Sequence, residues 1–134
     1  MSLPTDSKAR KNIPMARGCL YYFPDALAEV AIVSQEATKQ HHPDKPMHWD
    51  RSKSSDHADC IVRHQAEAGK RDTDGMRHSA KVAWRALAQL QIEIEEERKK
   101  AETEKLEADR TKPRQIRCRV CGATRLNWTV DCFE

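Results

Sequence analysis

Acidic and basic side chains alternate in blocks between residues 54 and 90. Asp56 and Asp59 stand three apart, Asp72 and Asp74 follow, and then come His78, Lys81 and Arg85 at three- and four-residue intervals. Two aspartates three apart on a helix can reach one point, and carboxylate oxygens are the ligands that hard cations such as Mg²⁺ and Mn²⁺ take. Three cations on one helical stripe suit phosphate oxygens and the charge that develops in phosphoryl transfer. The combination predicts a divalent metal holding a polyphosphate. Glu29 and Glu36, seven residues apart, extend the acidic set. They lie on a helix that otherwise reads as apolar, where a carboxylate is costly unless paired or metal-bound. Plainer readings exist for each feature. The glutamates can face solvent, and Asp56 suits a helix start, where the macrodipole favours acids; Asp59 is explained less well that way. Arg63 and His64 can orient carboxylates, and His64 equally suits a structural hydrogen-bond partner.

Several other phosphate and metal chemistries are excluded by absences. There is no G-x-x-x-x-G-K-[ST] loop, no His followed directly by Asp, and no H-E-x-x-H.

The elements that must position these residues are helical. The 134 residues are 38% hydrophobic and 34% charged, with four Gly and few aromatics, a composition that favours an all-α fold. The predicted organisation is a flexible arm over residues 1–18, a helical domain over 19–96, a charged helical extension over 97–113 and a distinct tail over 114–134. Pro24 can open a first helix running from Asp25 to about Gln40. Leu27, Val30 and Ala31 line one face of it, and Ile32 and Val33 widen the apolar surface enough that the helix is expected to be largely buried. A loop with Pro43 and Pro46 follows. Ser55 can cap a second helix from Asp56 to about Ala68, with Gly69 as its stop. Asp74 can cap a third, from Met76 to Lys112, whose apolar stripe is Ala83, Leu87, Leu90 and Ile94. Beyond Ile94 the charges alternate in sign, as in a solvated helix.

The net charge of +3 gives no reason to expect a nucleic-acid surface. No apolar run approaches the roughly 18 residues of a membrane span, and no secretory signal opens the chain. Five Cys with one tight pair fit a reducing compartment, so the cytoplasm is expected. In the tail, Cys118 and Cys121 are spaced as one zinc knuckle, with Cys132 as a third ligand. A structural Zn²⁺ and a pair of unmetallated thiols are both open readings there.

Four stretches, YYFPDALAEVAIVS, QHHPDKPMHW, SSDHADCIVRH and DTDGMRHSAKVAWRALAQLQIEIE, resemble the MazG-like phage family called dATP/dGTP diphosphohydrolase, N-terminal, one of the all-α nucleoside triphosphate pyrophosphohydrolases. The likeness covers about Tyr21 to Glu95. It implies a helical bundle that cleaves between the α- and β-phosphates, releasing a monophosphate and pyrophosphate, with Mg²⁺ or Mn²⁺ bound by a Glu-x-x-Glu pair on one helix and a Glu-x-x-Asp pair on the next. The second pair falls on Asp56 and Asp59. The first falls on Glu29, but Ile32 occupies its partner position, and Glu36, a turn further along, is the expected stand-in. Glu29 or Glu36 would orient the attacking water. Arg77, His78, Lys81, Trp84 and Arg85 match the third-helix motif, so Lys81 and Arg85 would stabilise the leaving pyrophosphate, with His78, Lys53 and Arg63 as further phosphate contacts. His48 and Trp49 match a loop motif that would contact the base. Within the family the chain looks like the phage dGTP pyrophosphohydrolases, so dGTP is the expected substrate, ahead of GTP and dATP. The superfamily completes its sites by oligomerisation, which implies a homodimer or homotetramer. A competing reading from another class is a zinc-knuckle module that binds nucleic acid or protein without catalysis.

Overall fold

The computed structural model of the chain describes residues 3–53, 55–112, 115–117 and 124–126. Among these the α-helices are α1 (Ser7–Lys11), α2 (Pro24–His41), α3 (His57–Ala66) and α4 (His78–Thr111), with a π-helical turn at Ala16–Leu20 and a 3₁₀ turn at Arg51–Lys53. The fold is mainly helical, as the composition predicts. The chain divides into two compact units, Met1–Ile92 and Glu93–Glu134. In the second, β1 (Gln115–Arg117) and β2 (Thr124–Leu126) pair antiparallel, with Ile116 opposite Arg125. The tail cysteines Cys118, Cys121 and Cys132 lie outside the described residues.

Local chemistry sets the helix ends. α1 falls within the predicted arm and is capped by Asp6, whose Oδ2 accepts the Ala9 N–H at 2.6 Å. Pro24 occupies the first turn of α2, where its missing N–H leaves nothing unsatisfied. α2 stops at His42, whose N–H donates to the Thr38 carbonyl at 2.7 Å, just before Pro43, which disfavours helical geometry in the preceding residue. The cap of α3 is Asp56 by position rather than Ser55, and its carboxylate makes no capping bond. Arg63 Nη2 donates to that carboxylate at 2.9 Å and Cys60 Sγ at 3.3 Å. Past Ala66 the chain unwinds through Gly69, at φ 86°.

The connector to α4 is a tight turn. Asp72 N donates to the Met76 carbonyl and Gly75 N to the Asp72 carbonyl, each at 2.8 Å, while Gly75 takes φ 80°, a conformation glycine adopts without steric cost. Asp74, expected to cap α4, braces this turn instead. Its Oδ1 accepts the Met76 N–H at 3.0 Å, and the helix begins four residues later at His78.

The first unit's core is small: Val33, Met76 and Ala80 are buried together, with Trp84 packed against them. Two expectations change here. α2 is not largely buried, because Val33 and Thr38 are its buried residues and Ile32 is 45% exposed. On α4 the inward stripe is Ala80, Trp84 and Ala88, whereas Leu87 and Leu90 are about half exposed, at 51% and 50%. A polar contact selects this rotation: the indole Nε1 of Trp84 donates to Ser34 Oγ at 2.6 Å, tying α4 to α2 through a bond that would be costly to leave unmade inside.

Candidate active site

A cavity of about 420 Å³ opens between α2, the loop after it, the 72–76 turn and α4, within the size range of small-molecule sites. Lys81 and Arg85, one turn apart on α4, both line it, and so do His48 and Trp49 from the loop. Two of the expected phosphate groups and both expected base groups therefore share one space.

Lys81 is only 13% exposed and lies between two carboxylates, Asp72 Oδ2 at 2.6 Å and Asp74 Oδ2 at 2.5 Å. Burial pulls its pKa down, and bonds to Asp72 and Asp74 outweigh that, leaving it raised. The Lys81 ammonium, with help from the Thr73 N–H, holds Asp72 at about 2. Asp74 is also lowered: burial opposes this, but the bonds from Lys81 and the Met76 N–H prevail. Lys81 is thus a locked cation whose charge is already matched.

Arg85 differs. Its side chain is 24% exposed and approaches Asp56 Oδ1 no closer than 3.8 Å. Its Nη1 is buried with no hydrogen-bond acceptor among the described residues. The guanidinium carbon lies 5.6 Å from the Trp84 ring centre. Two more unsatisfied groups lie nearby: the indole Nε1 of Trp49 and both ring nitrogens of His57 have no partner among the described residues. Trp49 meets Trp84 edge to face at 5.8 Å between centres and His57 at 6.4 Å, and Arg51 sits 4.3 Å over the Trp49 ring. Burial, then the nearby Arg85 charge, lowers the His57 pKa, so its ring is neutral near pH 7. Aromatic faces beside unpartnered donors suit a flat ligand that carries acceptor oxygens.

His64 also lines the cavity and shares a hydrogen bond with His78, Nδ1 to Nδ1 at 2.9 Å. Burial, then the Lys81 charge, lowers the His64 pKa. His78 therefore reaches the cavity wall through His64.

The four carboxylates expected to hold metal are placed differently. Glu29 lies 3.7 Å from Arg77 Nε, Glu36 accepts from Lys39 at 2.7 Å, and Asp56 pairs with Arg63 at 2.9 Å. The Arg63 bond, then that of Cys60, lowers the Asp56 pKa. Asp59 is exposed in the first turn of α3. None of the four lines the cavity, and as arranged in this chain they do not converge on one point. Among the described residues, the groups of three or more donor side chains whose ligand atoms all lie within 4.8 Å of one another are His42, His48 and Asp50, and His64, Asp72 and His78. Arg63 is exposed on α3, and Lys53 ends the Arg51–Lys53 turn, its side chain outside the described part.

A family model described as dATP/dGTP diphosphohydrolase, N-terminal, matches residues 4–104. The chain belongs to this family. Its name denotes diphosphohydrolase activity on dATP and dGTP, and the matched span contains every side chain that lines the cavity. No curated protein and no solved structure matches the chain.

Sequence reasoning gave no site role to His42, Asp50 or His57, and none to Asp72 as a partner of Lys81. For His42 and Asp50 a signal was available: two histidines and an aspartate within nine residues of one Pro-containing loop. For His57 there was none, since its burial depends on how the two tryptophans meet.

Proposed function

We propose that the chain hydrolyses purine deoxynucleoside triphosphates, dGTP first, to the monophosphate and pyrophosphate. The observation that carries this reading is Arg85. Arg85 lines one cavity with Trp49 and Trp84, and its buried Nη1 has no acceptor among the described residues, in a chain of a dATP/dGTP diphosphohydrolase family. Within the family the chain resembles the phage enzyme MazZ, which supplies dGMP for 2-aminoadenine nucleotides, and this likeness supports both the guanine preference and a phage role.

In this reading water attacks the α-phosphorus, the bond to the α–β bridging oxygen breaks, and pyrophosphate leaves. Arg85 meets the phosphate oxygens with its spare donor, which is worth most where charge develops. Lys81 does so only by loosening from Asp72 or Asp74, so the turn that carries them responds to the phosphates. Trp49 packs against the base. The nucleotide arrives as its Mg²⁺ or Mn²⁺ complex, with Asp56 and Asp59 as the proposed carboxylates that meet the cation. The half-exposed Leu87 and Leu90 support assembly as a homo-oligomer, since burying the remainder stabilises by about 1 kcal/mol per side chain.

The test is a substrate series. The protein is incubated with dGTP, dITP, dATP and GTP with Mg²⁺ or Mn²⁺, and pyrophosphate is measured. A guanine site leaves polar groups unpaired when the wrong base binds. dGTP should therefore turn over fastest and dATP much more slowly, with dITP, which lacks only the amino group, between them. Equal rates for dGTP and dATP would remove the guanine assignment. No pyrophosphate from any purine nucleotide would sink the hydrolase reading.

A further inference from the structure

We propose that His42, His48 and Asp50 form a binding site for one first-row transition-metal dication of the Mn²⁺, Co²⁺ or Zn²⁺ kind, at the C-terminal end of α2 in the cavity wall. The site goes beyond the hydrolase reading and does not depend on it.

The ligand atoms of the three residues already lie within 4.8 Å of one another. His and Asp ligands sit about 2.0–2.2 Å from such ions, which sets two ligand atoms of one tetrahedral ion roughly 3.3 Å apart. Small side-chain movements therefore close the set. Two imidazoles and one carboxylate form a donor set for a transition ion rather than for Mg²⁺, which takes oxygen.

Two of the three ligands, His48 and Asp50, are oriented by a further partner, as ligands in metal sites usually are. His48 Nδ1 lies 2.9 Å from the Pro46 carbonyl. A carbonyl can only accept, so Nδ1 carries the proton and Nε2 keeps a lone pair. Asp50 Oδ1 accepts from Ser52 N at 3.0 Å and Ser52 Oγ at 2.6 Å, leaving Oδ2 to face His42 Nε2 at 3.1 Å. A bound ion would take the place of the proton in that last contact, with the neutral His42 ring carrying its one proton on Nδ1. The Thr38 hydroxyl, which donates to the Ser34 carbonyl at 3.0 Å, lies 3.5 Å from the His48 carbonyl, where the loop passes α2.

Electrostatics favour this cluster over His64, Asp72 and His78, which has the same donor types. His42 is the C-terminal cap of α2, where the free carbonyls of the last turn attract a cation. His78 is instead the first residue of α4, at the positive end of a helix, and the Lys81 ammonium already occupies Asp72 at 2.6 Å.

The test titrates Co²⁺ into the full chain with Cys118, Cys121 and Cys132 changed to Ser, so that no tail thiolate contributes. Binding is read from visible d–d absorption and from quenching of Trp49, which lies between two of the ligands in sequence. One Co²⁺ per chain should bind. His42→Ala and Asp50→Asn should each weaken binding at least tenfold, and Ser52→Ala, which keeps all three ligands, by a few-fold. His78→Ala should leave Co²⁺ affinity unchanged. Equal affinity in His42→Ala and the parent, or loss in His78→Ala instead, would overturn the site. Pyrophosphate release is measured in parallel. Absent release with Co²⁺ binding intact overturns only the hydrolase reading, whereas absent Co²⁺ binding overturns this site whatever the hydrolysis shows.

Discussion

Replacing Arg85 with Ala separates a phosphate-binding guanidinium from a structural one, because the two roles predict opposite ratios of activity to stability. The structural losses are small. The contact to Asp56 is 3.8 Å long, and Asp56 is about half exposed; pairs of that kind contribute about 0–1 kcal/mol. The approach to the Trp84 ring, at 5.6 Å, adds about 0.5–1 kcal/mol. Against these losses stands a gain, since the substitution removes a buried nitrogen that has no acceptor and whose desolvation is otherwise uncompensated. The net change in stability should be under about 1 kcal/mol. Removing a donor aimed at a transferring phosphate costs about 2.7–4 kcal/mol of transition-state stabilisation, or roughly a hundred- to a thousandfold in rate. Pyrophosphate release and a thermal melt followed by circular dichroism measure both quantities on one sample. Arg85→Lys should fall between, keeping the charge and losing the fork. Activity within about threefold of the parent in Arg85→Ala would refute the phosphate role; a fall in activity matched by a collapsed melt would return Arg85 to the structure.

Other variants probe the remaining groups. His57→Phe should raise the melting temperature, because it removes unpartnered ring nitrogens from a site only 7% exposed, yet lower activity if the ring meets the ligand; a destabilised variant would show that His57 has a partner. Asp59→Ala should abolish turnover with the helical signal intact, and activity within a few-fold would remove it as a cation ligand. Glu36→Ala should lower turnover if it stands in opposite Ile32; an unaffected rate would leave Glu29 as the α2 carboxylate. Asp72 titrates at about 2 folded against 3.8 unperturbed, so the stability it adds is present above pH 3.8 and lost as the pH falls toward 2. Lys81→Met should flatten that part of an acid denaturation curve, and an unchanged curve would refute the coupling.

What could be read from the sequence was what lies along one chain segment. Lys81 and Arg85 share a cavity because four residues advance a helix by about one turn, and Trp49 reaches the same space from a loop whose prolines keep it out of α2. The relation between helices was not legible. Periodicity placed Glu29 with Glu36 and Asp56 with Asp59, but says nothing about how one stripe faces another, and here each glutamate finds a cation instead. The same limit explains α4. Ala83, Leu87 and Leu90 form the stronger apolar stripe, yet the Trp84 to Ser34 hydrogen bond turns Ala80, Trp84 and Ala88 inward. Hydrophobic patterning is non-directional, so it carries no sign of a directional bond such as this one, which favours the weaker apolar stripe.

That rotation bears directly on the site. Turning Trp84 inward brings it against Trp49 and His57 and sets Arg85, its neighbour, at the cavity wall. The cost is a cluster of polar atoms without partners among the described residues, in a unit whose buried core is small. A chain this short of apolar burial gains little margin from its core, and each unsatisfied buried group costs about 1–3 kcal/mol. Leu87 and Leu90, each about half exposed, would bury more apolar surface if they faced inward. The arrangement adopted makes physical sense when a ligand supplies the missing acceptors, because bound ligand then contributes to folding stability in proportion to its occupancy. A nucleotide bound at the proposed site should therefore raise the melting temperature, by partnering the same few atoms of Trp49 and Arg85.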